Sequence, residues 1–505
     1  MRLPLPALTL DPRTDRWGTP EWLGVAGACI LNFVIRIYRF DFPIIGGWQF
    51  RYTQTAWGIR SLMRDGLNPL LMETPVLGPP WRIPFEFPIF QLLAATIGRL
   101  GGLDPAHAGR LTASLVFAGG IAAVYALARR LCGITVATTS VVLYGFSAFG
   151  LNWGSQLLVD FTAATLGVAF VVALLRHLDG PGSARLALVV VLGTLAILAK
   201  STTGVAWVIV GGTLLVARLP TWPSRARLWL PSIGVPTLVG VAWTRYTDAV
   251  KLDNPHAAWL TSNRLNFSGH HFRRPADLVE MDPWRLLLEH ALQPAVGGVL
   301  IGVGLVIAAW VLADQRRTVG VLTAVMVTGP IAFNGLYLTH DYYFIASFPA
   351  FCILAALGIV TIASGIARSP RAAGGAGLGL AMTLALVGLS WTSPEGIENM
   401  NMLLTRQRAA TVDYSDVTDH TTADDRLIVI GLDWDPTLLY VTDRKGLMLR
   451  PDGTRPNDAE LGTFYEYVYW AEPNPTLEQW IEYFPAGLRH EEISPNFHRI
   501  FPLGD

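Results

Sequence analysis

Apolar runs too long for the core of an ordinary soluble domain dominate this chain. Residues 111–128 (LTASLVFAGGIAAVYALA), 294–313 (PAVGGVLIGVGLVIAAWVLA) and 344–364 (FIASFPAFCILAALGIVTIAS) are each long enough, as helices, to cross a hydrocarbon core of roughly 30 Å. Lipid offers no partner to backbone N–H and C=O groups, so such runs must satisfy them within a helix. Composition agrees, with 51% hydrophobic and 15% charged residues and a mean hydropathy of +0.39 over 505 residues. The chain reads as a polytopic helical membrane protein. Its formal net charge of zero excludes a nucleic-acid role resting on global electrostatics, and leaves the placement of the positive charges as the informative quantity.

The hydropathy pattern predicts about eleven transmembrane helices, near 21–38, 108–128, 133–150, 157–175, 185–200, 203–217, 229–246, 294–313, 318–338, 344–364 and 374–391. With that count the basic clusters at Arg129/Arg130, Arg176, Arg218/Arg225/Arg227, Arg316/Arg317 and Arg368/Arg371 all fall on the side of the N-terminus. The positive-inside rule makes that side cytoplasmic and the C-terminus extracytoplasmic. Residues 88–101 (PIFQLLAATIGRLG) are too short for a span and would reverse this parity, so they are expected as a helix at the outer surface. The polar N-terminus, with Arg2, Arg13 and Arg16, carries no short apolar region with a small-residue cleavage site. It reads as a cytoplasmic lead into a first span that serves as an uncleaved signal. Cys29, Cys132 and Cys352 fall in or at the end of predicted spans and imply neither a disulfide framework nor a cysteine metal site.

The expected organisation is a transmembrane domain over 1–391, with extracytoplasmic loops at 41–107 and 247–293, and a small extracytoplasmic α/β domain over 392–505. In the last region Asp, Glu, Tyr and Trp replace the apolar runs. DRLIVIGL reads as a buried strand, DPTLLYVTDR as a helix begun at an aspartate cap, and KGLMLR as a second strand. The absence of an internal repeat weakens a transporter built on duplicated halves.

Connecting loops are usually short, so the long first loop points to work at the outer interface. Its centre, ETPVLGPPWRIPFEFPIF (73–90), holds five prolines and four large aromatics around Glu73, Arg82 and Glu86. Earlier in the loop, FRYTQTAWGIRSLMRDG has an amphipathic pattern suited to a helix lying on the membrane. Ionisable residues also mark the predicted outer ends of spans: Asp160, Lys200 and the turn His340-Asp341-Tyr342-Tyr343. Charge at membrane depth is costly unless paired or facing a wet cavity, so an outward-opening polar cavity is expected. Carboxylates with Arg, Lys and His could hold an anionic ligand and move a proton there.

The elements FRYTQTA, ETPVLGPPWRIPFEFPIFQ, a GR before an apolar run at 109–128, LAKSTTG and HDYYF occur in an order that resembles bacterial membrane glycosyltransferases. These are the enzymes related to the dolichyl-phosphate-mannose protein mannosyltransferases (glycosyltransferase family 39) and the lipid A aminoarabinose transferase. The resemblance covers most of residues 20–365 and implies a C-type glycosyltransferase fold. It further implies a polyprenyl-phosphate-linked sugar donor, a lipid or glycan acceptor, membrane lipids as surroundings, and an active site at the outer face of a bacterial plasma (inner) membrane. Such chemistry uses a carboxylate to take the acceptor's hydroxyl proton and cations where negative charge grows on the leaving phosphate.

Carried over residue by residue, Arg51-Tyr52 match the end of an Asp-Glu-x-Arg-Tyr run whose acids are here Trp48 and Gln49. Phe85-Glu86-Phe87-Pro88 matches a Phe-Glu-Lys-Pro element with its lysine replaced. The resemblance therefore makes Glu86 the expected general base, with Asp41 as the second candidate. It assigns Arg51, Lys200 and His340 to the donor phosphate, and Tyr52, Gln54, Glu73, Arg82, Asp160, Asp341, Tyr342 and Tyr343 to the substrate pocket. Each has a plainer reading: Glu86 as a helix cap, Arg51 on lipid head groups, Lys200 snorkelling, His340 and its tyrosines as an interfacial belt. Asp433-Trp434-Asp435 either touches a sugar acceptor or caps a helix. A divalent metal suits the residue types, but no ligand cluster demands one, and adjacent His270-His271 are poor tetrahedral partners. The rival functions are a polyprenyl-linked glycan polymerase or ligase and a lipid flippase or transporter.

Overall fold

The computed structural model describes residues 17–37, 40–41, 44, 48–219, 221–367, 372–405, 413–450 and 454–503. The expectations drawn on Arg2, Arg13, Arg16, Arg368 and Arg371 lie outside the described residues.

The expected eleven spans are overturned. Among the described residues five helices are long and apolar enough to cross a membrane: Thr19–Ile37, Pro105–Cys132, Asp160–Asp179, Ser201–Arg218 and Phe348–Ile366. A sixth results if Met281–Val296 and Val299–Leu312, bent by 79° at their junction, are taken as one. The reason is that an apolar run records hydropathy and not where a helix stops. Ile134–Phe146 has 13 residues and reaches only about 20 Å, because Ser147, in extended backbone, ends it and caps the separate helix Ala148–Trp153 by accepting from the Gly150 N–H. Lys200, in extended backbone, separates Ser183–Ala199 from Ser201–Arg218 where the boundary was expected, but the first of these has only 17 residues and counts among the shorter apolar helices. The predicted span 229–246 is interrupted by a π-helical turn at Leu230–Gly234. The parity argument was counted on eleven crossings and loses its basis with them.

The described residues fall into two compact units. The first takes in Met1–Phe40, Arg110–Ala242 and Asn266–Gln407. It is a multi-pass helical membrane bundle whose core includes the stacked rings of Phe117 and Tyr144 (4.7 Å) and the tilted pair Phe149 and Phe348 (4.5 Å). Without a hydrophobic driving force between helices in lipid, close backbone approach sets the packing. At Gly358 a Cβ would come 2.3 Å from the carbonyl oxygen of Leu305, so those two helices meet at a distance only glycine permits. Arg36, buried in the first span, is matched in full view of this rule. It donates to the carbonyl of Gly150 and to Asn32 Oδ1, both at 2.7 Å, and stands 3.9 Å above the Phe117 ring.

The second unit is assembled from three separated segments, Asp41–Gly109, Trp243–Leu265 and Arg408–Asp505. Its C-terminal part holds a five-stranded sheet: β1 (Arg426–Ile430), β2 (Lys445–Leu449), β3 (Tyr467–Trp470), β4 (His490–Ser494) and β5 (Phe497–Ile500), in the order β2-β1-β3-β5-β4. β1 pairs in parallel with β2 and β3, while β5 pairs antiparallel with β3 and β4. Side chains alternate along β1 as a strand buried on both faces requires. Leu427 and Val429 enter a core with Met448, Phe497 and three first-loop residues, Val76, Leu77 and Ile83. Ile428 and Ile430 enter another with Leu447, Leu449, Trp480 and Phe484.

The first loop completes this sheet. The N–H of Gly446, on edge strand β2, donates to the carbonyl of Pro75 at 2.8 Å, and the N–H of Gly78 donates back to Gly446. An exposed strand edge is thereby covered. Gly78 has φ +69°, and a Cβ there would meet the Tyr465 hydroxyl at 2.9 Å. The side chain of Asn254 donates to the carbonyl of Leu77 at 3.0 Å, so the second loop fastens the same turn.

Helix Gln49–Asp65 differs from the membrane-surface expectation, because protein covers its apolar side. Trp57 and Leu62 are buried. Thr53 Oγ1 lies 3.2 Å from Thr437 Oγ1, and Arg60 forms a 2.8 Å ion pair with Asp443. The expected surface helix at 88–101 is Ile89–Gly101, packed on Gln49–Asp65 with Arg99 donating to the carbonyl of Met63.

Candidate functional site

The predicted site residues divide between the two units. Asp41, Arg51, Tyr52, Gln54, Glu73, Arg82 and Glu86 belong to the sheet-bearing unit, and Asp160, Lys200, His340, Asp341, Tyr342 and Tyr343 to the helical one.

In the sheet-bearing unit, ETPVLGPP and IPFEFP do different jobs. The first part docks on strand β2, and Glu73 is held there by an ion pair with Lys445 and a longer one, 3.7 Å, with Arg64. The Lys445 pair fastens the loop to the strand. The second part is irregular backbone that leads into helix Ile89–Gly101 and carries Glu86 half-buried between Phe85 and Phe87. Glu86 accepts no hydrogen bond among the described residues. Arg82 is half-buried and stands outside this network.

Trp434 joins the three segments around this point. Its ring lies 5.6 Å from that of Phe85, 4.6 Å from Phe50 and 5.9 Å from Trp259. The turn that presents it follows β1, with Asp433 in the left-handed region (φ 52°) and paired with Arg450 at 2.9 Å. Asp435 caps the helix Thr437–Thr442, accepting from the Thr437 N–H at 2.9 Å. It also accepts from Gln49 Nε2 at 3.3 Å. The cap reading holds for Asp435, while Asp433 anchors the same turn through Arg450 and the Trp434 indole packs against the first loop. Arg51 projects from the start of Gln49–Asp65, 6.0 Å from the Trp434 ring and 5.1 Å from Phe50, and donates to Gln54 Oε1 at 2.8 Å. Tyr52 is buried on the same helix.

Asp41 sits elsewhere in this unit. It is 3.2 Å from His107 Nε2, with Asp104 on the other ring nitrogen, and its side chain is 89% exposed. Asp104 also caps the helix that follows, accepting from the N–H groups of Ala106 and His107. Glu86 is the more enclosed of the two candidate bases.

Two residues that sequence reasoning missed lie beside Glu86. Trp243 Nε1 donates to the Phe85 carbonyl at 3.0 Å, and Lys251 Nζ lies 4.4 Å from the centre of the Phe85 ring. Lys251 lies beyond the expected span 229–246 and is 4% exposed. Burial pushes its ammonium down from its ordinary 10.5 to about 8, against the opposing pull of Asp248 and Glu86. The signal was the spacing of Trp243, Thr247 and Lys251, one face of a helix that the span boundary at 246 cut in two.

In the helical unit, Lys200 and Asp160 form a buried ion pair at 2.9 Å. The helix break at Lys200 turns its ammonium onto the rings of Tyr343 (4.4 Å) and Tyr342 (5.2 Å), which stack on each other at 4.9 Å. His340 joins edge-on to both tyrosines, and its Nδ1 lies 2.7 Å from Thr339 Oγ1. Asp341 opens the 3-10 turn Asp341–Ala346 that carries the tyrosines. His270 lies 6.1 Å from His340, ring to ring, while His271 Nδ1 is 2.6 Å from Asn266. Among the described residues no group of three or more His, Cys, Asp or Glu side chains is placed to hold a metal ion.

No family model matches the sequence, and no curated protein matches it. Solved structures do. The fold is similar to that of ArnT from Cupriavidus metallidurans bound to undecaprenyl phosphate, with TM-score 0.61 and 14% identity over 96% of this chain and 98% of that one. It is similar to arabinofuranosyltransferase AftD from Mycobacteria, with TM-score 0.57 and 14% identity over 97% of this chain and 40% of that one. A third likeness is to the oligosaccharyltransferase of Archaeoglobus fulgidus in the apo form, with TM-score 0.53 and 12% identity over 89% and 70%. At these identities the likeness establishes a shared fold: a helical membrane bundle with a β-containing C-terminal part.

Proposed function

We propose that this chain is an inverting glycosyltransferase that moves a sugar from a polyprenyl-phosphate-linked donor to an acceptor hydroxyl at the outer face of a bacterial plasma membrane. The observation that carries this reading is the setting of Glu86. It is a half-buried carboxylate with no hydrogen-bond donor committed to it among the described residues, flanked by the rings of Phe85 and Phe87 and within the electrostatic reach of Lys251. A carboxylate so disposed suits a general base. The likeness in fold supports the substrate class, since one of the similar proteins is bound to undecaprenyl phosphate and the other two are named as glycosyl-transferring enzymes.

The acceptor oxygen attacks the anomeric carbon, the bond from that carbon to the phosphate oxygen breaks, and the hydroxyl proton passes to Glu86. The leaving group is a polyprenyl phosphate, whose growing charge needs a cation. We assign that role first to Arg51, because the Lys200 charge is already matched by Asp160. Trp434 and its neighbours offer flat apolar rings with flanking acids, a surface suited to a sugar-bearing acceptor.

The test is release of free polyprenyl phosphate by purified protein given a series of polyprenyl-phosphate sugars. Glu86→Gln should abolish nearly all of it. Movement of intact lipid-linked sugar across a vesicle membrane, without bond cleavage, would overturn the reading in favour of a transporter.

A further inference from the structure

One helix face grips both flanks of Glu86. In the helix Val235–Leu252, Trp243, Thr247 and Lys251 recur every fourth residue and so lie above one another. Trp243 fixes the Phe85 carbonyl by its indole N–H and meets the Phe87 ring edge-on at 5.0 Å. Lys251 covers the Phe85 ring. Thr247, between them, is buried and donates to the carbonyl of Thr244 at 2.9 Å.

Lys251 has no carboxylate within ion-pair distance among the described residues, although it is almost wholly buried. Two carboxylates act on it, Asp248 from its own helix and Glu86 from the first loop. Asp248 is occupied, accepting from the N–H of Ser262 at 2.9 Å and also from the Ser262 hydroxyl. Glu86 has no such commitment. A buried ammonium lowers stability unless something is gained by it, and cation–π contact with a single phenylalanine is a weak return. Local choices that oppose the fold concentrate at functional sites.

We propose that Lys251 is a positioning residue for Glu86, the counter-charge that holds the carboxylate in one orientation between Phe85 and Phe87. This rests on Glu86 acting as the base. Lys251 keeps its own proton through the step and forms no bond to substrate. Because burial brings its titration down to about 8, the counter-charge fades as pH rises past that value, whereas an arginine in its place stays charged.

Two measurements on the full-length protein test this. The first is the melting temperature of wild type, Glu86→Gln, Lys251→Met and the double variant at neutral pH, which needs no turnover. Coupled residues give non-additive shifts, and additive ones overturn the proposal. The second is polyprenyl phosphate release against pH. Wild type should lose rate above about pH 8, Lys251→Arg should retain it there, and Lys251→Met should be slower by about tenfold or more at neutral pH with no step near 8. A wild-type rate and profile in Lys251→Met would overturn the positioning role. If wild type cleaves no donor although the melting shifts are non-additive, the glycosyl-transfer reading fails and the pair is a structural contact, which overturns the proposal as well.

Discussion

The Lys200 ammonium and the Asp160 carboxylate lie 2.9 Å apart with 4% and 0% of each residue exposed. A pair this deep is held by mutual need, since either charge alone would be stranded in a low-dielectric interior. Asp160→Asn or Lys200→Met should each destabilise the helical unit by ~3–5 kcal/mol, and the double variant should recover much of that loss. Thermal melting in detergent checks it. A double variant that folds and turns over normally assigns the pair to holding the Tyr342-Tyr343 turn; one that folds but releases no polyprenyl phosphate returns Lys200 to the substrate.

The two candidate bases separate by their surroundings. Glu86→Gln should lower turnover by ~10²–10⁴-fold, the usual contribution of a positioned base, with donor binding little changed. Asp41, mostly exposed and engaged with His107, should tolerate asparagine with only a few-fold loss. A dead Asp41→Asn beside an active Glu86→Gln would reverse the assignment.

Particular residues show what the sequence could and could not carry. The strand Arg426–Ile430, the helix Thr437–Thr442 and the strand Lys445–Leu449 lie within the segments read as strand, helix and strand, because apolar runs of strand length between polar turns leave few alternatives. The span count failed because helix ends depend on single residues. Ser147 adopts extended backbone inside a stretch, 133–150, whose hydropathy is unbroken. The surroundings of Glu86 were illegible for another reason. Trp243, Lys251 and Trp434 come from segments far from it in sequence, and only chain folding brings them together. Local pattern placed the glutamate in an exceptional loop, while its neighbourhood is a tertiary property.

The Lys251 titration makes a prediction about stability that is independent of catalysis. Below about pH 8 the residue is charged in both folded and unfolded chains, and the full burial penalty applies. Between about 8 and its ordinary 10.5 the folded form releases its proton first, so the unfolded form binds more protons and stability rises with pH. Lys251→Met should therefore be more stable than wild type at neutral pH, by up to about 3 kcal/mol of unfolding free energy. That advantage should shrink across the same interval. A constant gap from pH to pH would mean that Lys251 is not titrating there.

Presentation of Glu86 depends on how the first half of its loop is docked, and Gly78 is where that docking is least tolerant. Its φ of +69° already disfavours any other residue, and a Cβ would come 2.9 Å from the Tyr465 hydroxyl. Gly102 has a similar φ of +63° with nothing within 4 Å, so it isolates the backbone contribution. Gly102→Ala should cost about 1 kcal/mol and Gly78→Ala distinctly more, in the range of ~1–3 kcal/mol. Tyr465→Phe removes the atom that the new methyl would strike and should restore part of the difference, provided the strand-edge bonds between Gly446 and Pro75 remain. Melting temperatures of the four proteins decide it. If Gly78→Ala matches Gly102→Ala, the turn is not pressed against Tyr465, and Glu86 is positioned by the Trp243 and Lys251 face alone.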